Sequence, residues 1–298
     1  MGVAARWAAA FVALVAGLAH GVPAAAQVCA PHDEQCAMLP HGGPGESIGA
    51  HARVFGINAL LGGLTAGVRS QIRGDGFGRA FLLGTAGGGL NYGGKLLSVE
   101  PVWGAGLAGR QVASVGSSIV RNASEGRGPM EELLLPLGPA RFVVPVRQPS
   151  ATRMRVDVGG LAVLAWYLAE SDTRLDLGAS LSAGGPVFRT ERVRSHNWYG
   201  NNTAGVILLR DDAPTDRFTP EMVFAHERVH LLQYDFALHV WSGPAERRLL
   251  RPLPGGVWLT DRADLGLTLL PLVALVNRHV EYDDRPWERE AHFFSGSW

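Results

Sequence analysis

The sequence predicts an α+β fold: a small mixed or antiparallel sheet over one central helix, preceded by a glycine-rich helical segment. Three observations lead there. Eighteen of the 39 glycines fall within residues 49–118, among apolar residues at helical intervals. From about Pro136 the apolar residues instead alternate, as they do in half-buried strands. Finally, a long and largely apolar helix begins at Thr219-Pro220, a pair suited to an N-cap and a first helical position.

Composition bounds the rest. The chain has 298 residues, 47% hydrophobic and 18% charged, enough apolar material for a sizeable core and too much for a disordered chain. Its 27 basic and 27 acidic side chains balance, so it lacks the basic excess of a nucleic-acid binder. Nearly all the basic residues are arginine, with Lys95 the only lysine, which reads as a compositional bias.

Residues 1–26 have the pattern of a secretory signal peptide. Arg6 supplies the positive start, Trp7 to Leu18 the apolar run, and Ala24-Ala25-Ala26 a small-residue cleavage site. The run is shorter than the ~20 residues that span a bilayer. The chain is therefore expected outside the cytoplasm, periplasmic or secreted. Residues 27–48 read as a polar leader in which Cys29 and Cys36 can close a short disulfide loop; a metal site with His32 is the alternative.

Residues 49–135 form the glycine-rich segment. Phe55, Leu60, Leu61, Leu64 and Val68 recur helically, with Gly56, Gly63 and Gly67, then Gly84, Gly88 and Gly89 among them. Each glycine inside a helix costs ~1 kcal/mol, so their density implies that helices approach closely there. Two or three helices are predicted, with turns near Gly74-Asp75-Gly76 and Pro101. They are expected either to pack on the rest of the protein or, over residues 49–118, to associate with membrane.

Residues 136–298 form the second unit. Strands are expected at Arg141–Val146, Thr152–Val158, Thr173–Leu181, Pro186–Arg192 and Ala204–Arg210, and a short apolar helix at Gly160–Glu170. Asn201-Asn202-Thr203 reads as a turn. The long helix from Pro220 is expected to stop at Ser242-Gly243-Pro244. A second apolar helix, Leu265–Asn277, is assigned to the core, and a last helix starts near Pro286.

Within the long helix lies His226-Glu227-Arg228-Val229-His230, an HExxH sequence. Chance would place about 0.016 such matches in a chain of this composition. Residues four apart share a helical face, so both imidazoles can reach one metal ion. Glu227, about 100° around the axis, can reach a metal-activated water without being a ligand. Gln233 lies near the histidine face, whereas Glu221, Arg228, Asp235 and His239 form a stripe opposite, expected to be wet. Catalytic zinc needs a third protein ligand and an open position. His239 is excluded by its stripe. In Trp287–His292, a helix would put Glu288, Ala291 and His292 on one face; Glu288 is the first choice, Glu290 the second and His292 the third.

HERVHLLQ followed by EREA resembles the zincin metallopeptidases whose third ligand is a glutamate, the gluzincin-like group. The resemblance covers about the last hundred residues, where HExxH is the specific part and the E-x-E-A segment the weaker one. It implies zinc held by His226, His230 and Glu288, with Glu227 as general base. It also implies a strand beside the helix that holds an extended peptide, for which Ala204–Arg210 is placed. His292 stands where the group usually has Asp or Asn, a residue that orients a ligand histidine. The expected function is zinc-dependent hydrolysis of a peptide or protein substrate, with Tyr199, Tyr234 or Tyr282 as oxyanion donor. The alternative is a non-catalytic zinc-binding envelope protein whose glycine-rich helices associate with membrane.

Overall fold

The computed structural model describes residues 47–191, 199–211 and 219–296. The signal peptide, nearly all of the leader and the Cys29–Cys36 pairing lie outside the described residues.

Three antiparallel-stacked helices come first: α1 (Ile48–Arg73), α2 (Gly78–Val99) and α3 (Ala105–Ser124). Ser47 caps α1 by accepting from the Ala50 amide, and Gly74, at φ 90°, ends it. The glycines sit where backbones meet. A Cβ on Gly88 would fall on the Asn58 carbonyl, one on Gly87 would lie 2.6 Å from the Gly116 carbonyl, and one on Gly94 2.5 Å from the Ala113 amide. Close approach thus offsets the helix-weakening cost of the glycines. No helix among the described residues is long and apolar enough to cross a membrane.

The remainder gives an α+β fold with two small mixed sheets. In the first, β1 (Glu132–Leu137), β2 (Ala140–Pro145) and β3 (Arg153–Asp157) pair antiparallel, and β8 (Ala263–Asp264) joins β3 in parallel. The second has the order β4 (Thr173–Leu175), β5 (Val187–Thr190), β7 (Val206–Arg210), β6 (Gly200–Thr203), with only β5 and β7 parallel. Helix α4 (Val158–Ala169) connects the first sheet to the second, and α5 (Leu177–Ala183) joins β4 to β5 within the second. Then come α6 (Pro220–Phe236), α7 (Gly243–Leu250), α8 (Gly256–Arg262), α9 (Leu269–His279) and α10 (Pro286–Ser295).

Helix α6 lies at the centre. Leu231 and Leu232 pack with Ile207 and Leu209 of β7, Val229 with Tyr92 of α2 and with Ala291 and Phe294 of α10, and Phe236 with Ala66 and Val120 of the glycine-rich layer.

Several expectations need correction. The alternation over Thr173–Leu181 yields a strand only to Leu175. Asp176 then accepts from the Ala179 amide at 2.9 Å and caps α5 instead. Asn201-Asn202-Thr203 is strand β6, because the turn follows it. Ala204 and Gly205 both have positive φ, 49° and 77°, and form a two-residue hairpin turn. Gly243 does not stop the helix. A π-helical stretch, Ala237–Ser242, carries the rod through it in helical conformation to α7, and Arg69 of α1 donates to the Val240 carbonyl. Helix α9 begins at Leu269, after Gly266 at φ 70°; Leu269 is buried, but Val273 and Leu275, expected in the core, are exposed.

Candidate metal centre

Thr219 accepts from the Met222 amide at 3.2 Å and fixes the start of α6. One turn in, the two histidines point to the same place. Their Nε2 atoms lie 2.9 Å apart. From α10, capped by no side chain but begun by Pro286, Glu288 places Oε2 3.2 Å from His226 Nε2 and 3.0 Å from His230 Nε2. Ala291, fully buried, lets the two helices close together. Donors around zinc at about 2.0–2.1 Å stand roughly 3.3–3.4 Å apart. The observed triangle is only a few tenths of an ångström tighter, so two nitrogens and one oxygen could hold a metal ion.

The alternatives for the third ligand have distinct places. Glu290 turns away from the histidines. Its Oε2 takes Lys95 Nζ at 2.7 Å and Gln233 Nε2 at 2.8 Å, and its Oε1 takes Asn58 Nδ2 at 2.7 Å. Gln233 in turn contacts His230 Nδ1 at 2.8 Å. A chain of contacts therefore runs from the lone lysine through Glu290 and Gln233 to a ligand histidine and holds its ring orientation. Lys95 and Asn58 belong to this network but carry no sequence signal for it, because they come from α2 and α1, far away in the chain. His292 stays close: its ring centroid is 4.6 Å from that of His226, and His226, Glu288 and His292 offer ligand atoms within 4.8 Å of one another.

Glu227 is buried against β6, where a Cβ on Gly200 would come within 2.7 Å of its Oε1. Its Oε2 has no hydrogen-bond partner among the described residues. Burial raises this carboxyl to about 7, with the His230 charge opposing and Glu288 adding to the rise. Burial works against the His230 imidazolium, but Glu288 and Glu227 carry it up to about 9. Burial lowers His226 and takes His292 down to about 4. Glu288, despite burial, is held well below the usual carboxylate range by the two histidines.

Of the three tyrosines, Tyr282 hydrogen-bonds Glu288. Tyr234 instead donates to Asp157 at 2.8 Å, and Tyr199 packs on the sheet core under Arg210. The stripe expected to be wet is mostly buried. Asp235 accepts from Arg110 at 2.6 and 3.1 Å, and Arg228 lies over the Phe224 ring. The strand expected to hold a peptide, β7, is paired on both sides; β6 is the edge strand beside α6.

The chain matches no family model, no curated protein and no solved structure.

Proposed function

We propose that this chain is a zinc-dependent, metallopeptidase-like hydrolase, exported from the cytoplasm and acting on a peptide or protein substrate. One observation carries the reading: two imidazole nitrogens and a carboxylate oxygen converge within 3.2 Å, beside a buried glutamate with an unpartnered oxygen. His226, His230 and Glu288 are the residues that would hold the ion. When bound, zinc supplies Lewis acidity, polarising a carbonyl and acidifying water.

The chain's own residues do the rest. Glu227 Oε2 takes the proton of the attacking water, and the same carboxyl returns it to the leaving nitrogen. Its burial raises its basicity toward the level that suits both transfers. Gln233, Glu290 and Lys95 hold His230 in place. Tyr282, already at Glu288, is the tyrosine positioned to donate to a developing oxyanion. An extended peptide adds to the edge of β6 that is unpaired among the described residues, through main-chain hydrogen bonds. Gly200, lacking a side chain, lets Glu227 and Val223 pack directly against β6.

Glu227→Gln is expected to lower peptide hydrolysis about 10²–10⁴-fold while one zinc per chain is retained. Equal turnover at matched zinc content refutes the assignment.

A second reading has its own observation. If His292 occupies the fourth position, the site is closed in the manner of structural zinc. The protein is then the non-catalytic zinc-binding envelope protein, with apolar Leu82, Val102 and Trp103 exposed on and beside the glycine-rich helices for a lipid surface. X-ray absorption distinguishes the two: three protein ligands favour the hydrolase, four the structural site.

A further inference from the structure

Away from the histidines, α3, β3, α7 and α8 enclose a cavity of about 150 Å³. Five of its lining side chains are arginines: Arg121, Arg127, Arg153, Arg155 and Arg247. They share few acceptors. Glu132 takes Arg121 and Arg153, each at 2.9 Å, and Arg127 at 3.6 Å. Glu125 takes Arg247 at 3.0 Å, Arg121 at 3.4 Å and Arg127 as well. Asp264 pairs with Arg155, but it also serves Arg141 at 2.9 Å. Asp261 lines the cavity and, among the described residues, joins none of these pairs.

Five guanidiniums present roughly twenty-five N–H donors, whereas the four carboxylates Glu125, Glu132, Asp261 and Asp264 offer roughly sixteen lone-pair sites. Arg155 illustrates the shortfall: its side chain is 5% exposed, and its Nε has no hydrogen-bond partner among the described residues. Buried cations normally have their charge and donors matched. Burial lowers Arg121, Arg127, Arg155 and Arg247, the last to about 9, and Arg121 and Arg155 push Arg247 the same way. The cavity is thus polar, roomy and short of negative charge. A single water needs only ~10–15 Å³ measured in this way, so a tetrahedral oxyanion with part of its substituent fits. Guanidinium forks match such oxygens two at a time.

We propose that this cavity binds a phosphate-type oxyanion, whether free or as a phospholipid headgroup. The ligand's oxygens bridge the guanidiniums that line the cavity, Arg155 and Arg247 among them, and relieve the crowding among the five cations. The headgroup source has a local counterpart: Leu249, Leu253, Val257 and Trp258, on and between the two helices that supply Arg247 and Asp261, are exposed. The proposal is independent of the metal reading.

The test is calorimetry on the full chain with inorganic phosphate, against chloride at matched ionic strength. Saturable binding is expected, weakened at least tenfold in Arg247→Gln and tightened several-fold in Asp261→Asn, which removes an exposed lining carboxylate. An unchanged circular dichroism spectrum and denaturant midpoint check that each variant is folded; if Arg247→Gln fails to fold, Asp261→Asn decides alone. In a parallel arm, vesicles of phosphatidic acid and of phosphatidylcholine are sedimented with the protein. Retention on phosphatidic acid alone, lost in Arg247→Gln, assigns the headgroup; phosphate binding without retention assigns the free anion. The proposal is overturned if phosphate and vesicles both fail to bind, or if binding is the same in wild type and both variants.

Discussion

Two histidines on one continuous helical rod meet opposite fates. His230, on α6, is surrounded by Glu227 and Glu288 and is carried up to about 9. His239, in the π-helical stretch, is also buried, but its neighbours are Arg141, Arg121, Arg110 and Arg155. Burial and those cations push it well below its ordinary value. Neither of its ring nitrogens has a hydrogen-bond partner among the described residues. Residue type and helix are the same, so the surrounding elements set the difference. Helix α10 brings acids to one end, whereas α3 and the first sheet bring arginines to the other. Acidic neighbours face the histidine at one end and arginines the histidine at the other.

The largest expected effect lies at the arginine end. Arg141 is fully buried and holds Asp264 at 2.9 Å, Asp157 at 3.2 Å and Asp235 at 3.6 Å. Burial works against its charge, and the three carboxylates overcome that. Asp235 belongs to the same helix as the histidines, so this cluster ties α6 to the first sheet. Arg141→Met leaves three buried acids short of a cation and is expected to cost ~3–5 kcal/mol of stability in denaturant unfolding. A loss below ~1 kcal/mol would show that the two ends are held apart by packing alone.

A smaller effect tests the histidine end. Lys95→Met removes the cation that anchors Glu290, so Gln233 no longer holds His230 in one orientation. Zinc affinity, read by competition with a chelator, is expected to fall about 10–100-fold. Unchanged affinity would mean that the ligand pair needs no support from the glycine-rich helices.

The two ends also differ in how legible they were. HExxH, the Thr219 cap and the start of α10 are local signals, readable from spacing. The three glycine-rich helices were readable because glycine at helical intervals has a cost that only close approach offsets. Periodicity tells which residues share a face but not what covers that face. Arg228, Asp235 and His239 therefore read as solvated, although Arg110 and Arg141 arrive from distant segments to bury the stripe. Lys95 read as compositional bias for the same reason: its partner Glu290 lies 195 residues away. Helix α9 is too short to span a bilayer, which points to the core, yet an apolar run can also leave residues such as Val273 and Leu275 exposed.

The smallest effect isolates His239 itself. Its native value is depressed, whereas in the unfolded chain it titrates near 6.5. Below that pH the unfolded chain takes up a proton that the native one refuses, so stability falls as the solution is acidified. Above about pH 7.5 both states are neutral at this site, and it contributes no pH dependence. A single such group costs ~1.4 kcal/mol between pH 8 and pH 5.5. His239→Leu removes the titrating group and fills similar space with no nitrogen left unpaired. The variant should therefore unfold at higher denaturant than the wild type at pH 5.5, with the gap narrowing by ~1.4 kcal/mol at pH 8. A gap that does not change with pH would mean that His239 takes up its proton as readily in the native chain as in the unfolded one, and that the arginines around it do not set its charge.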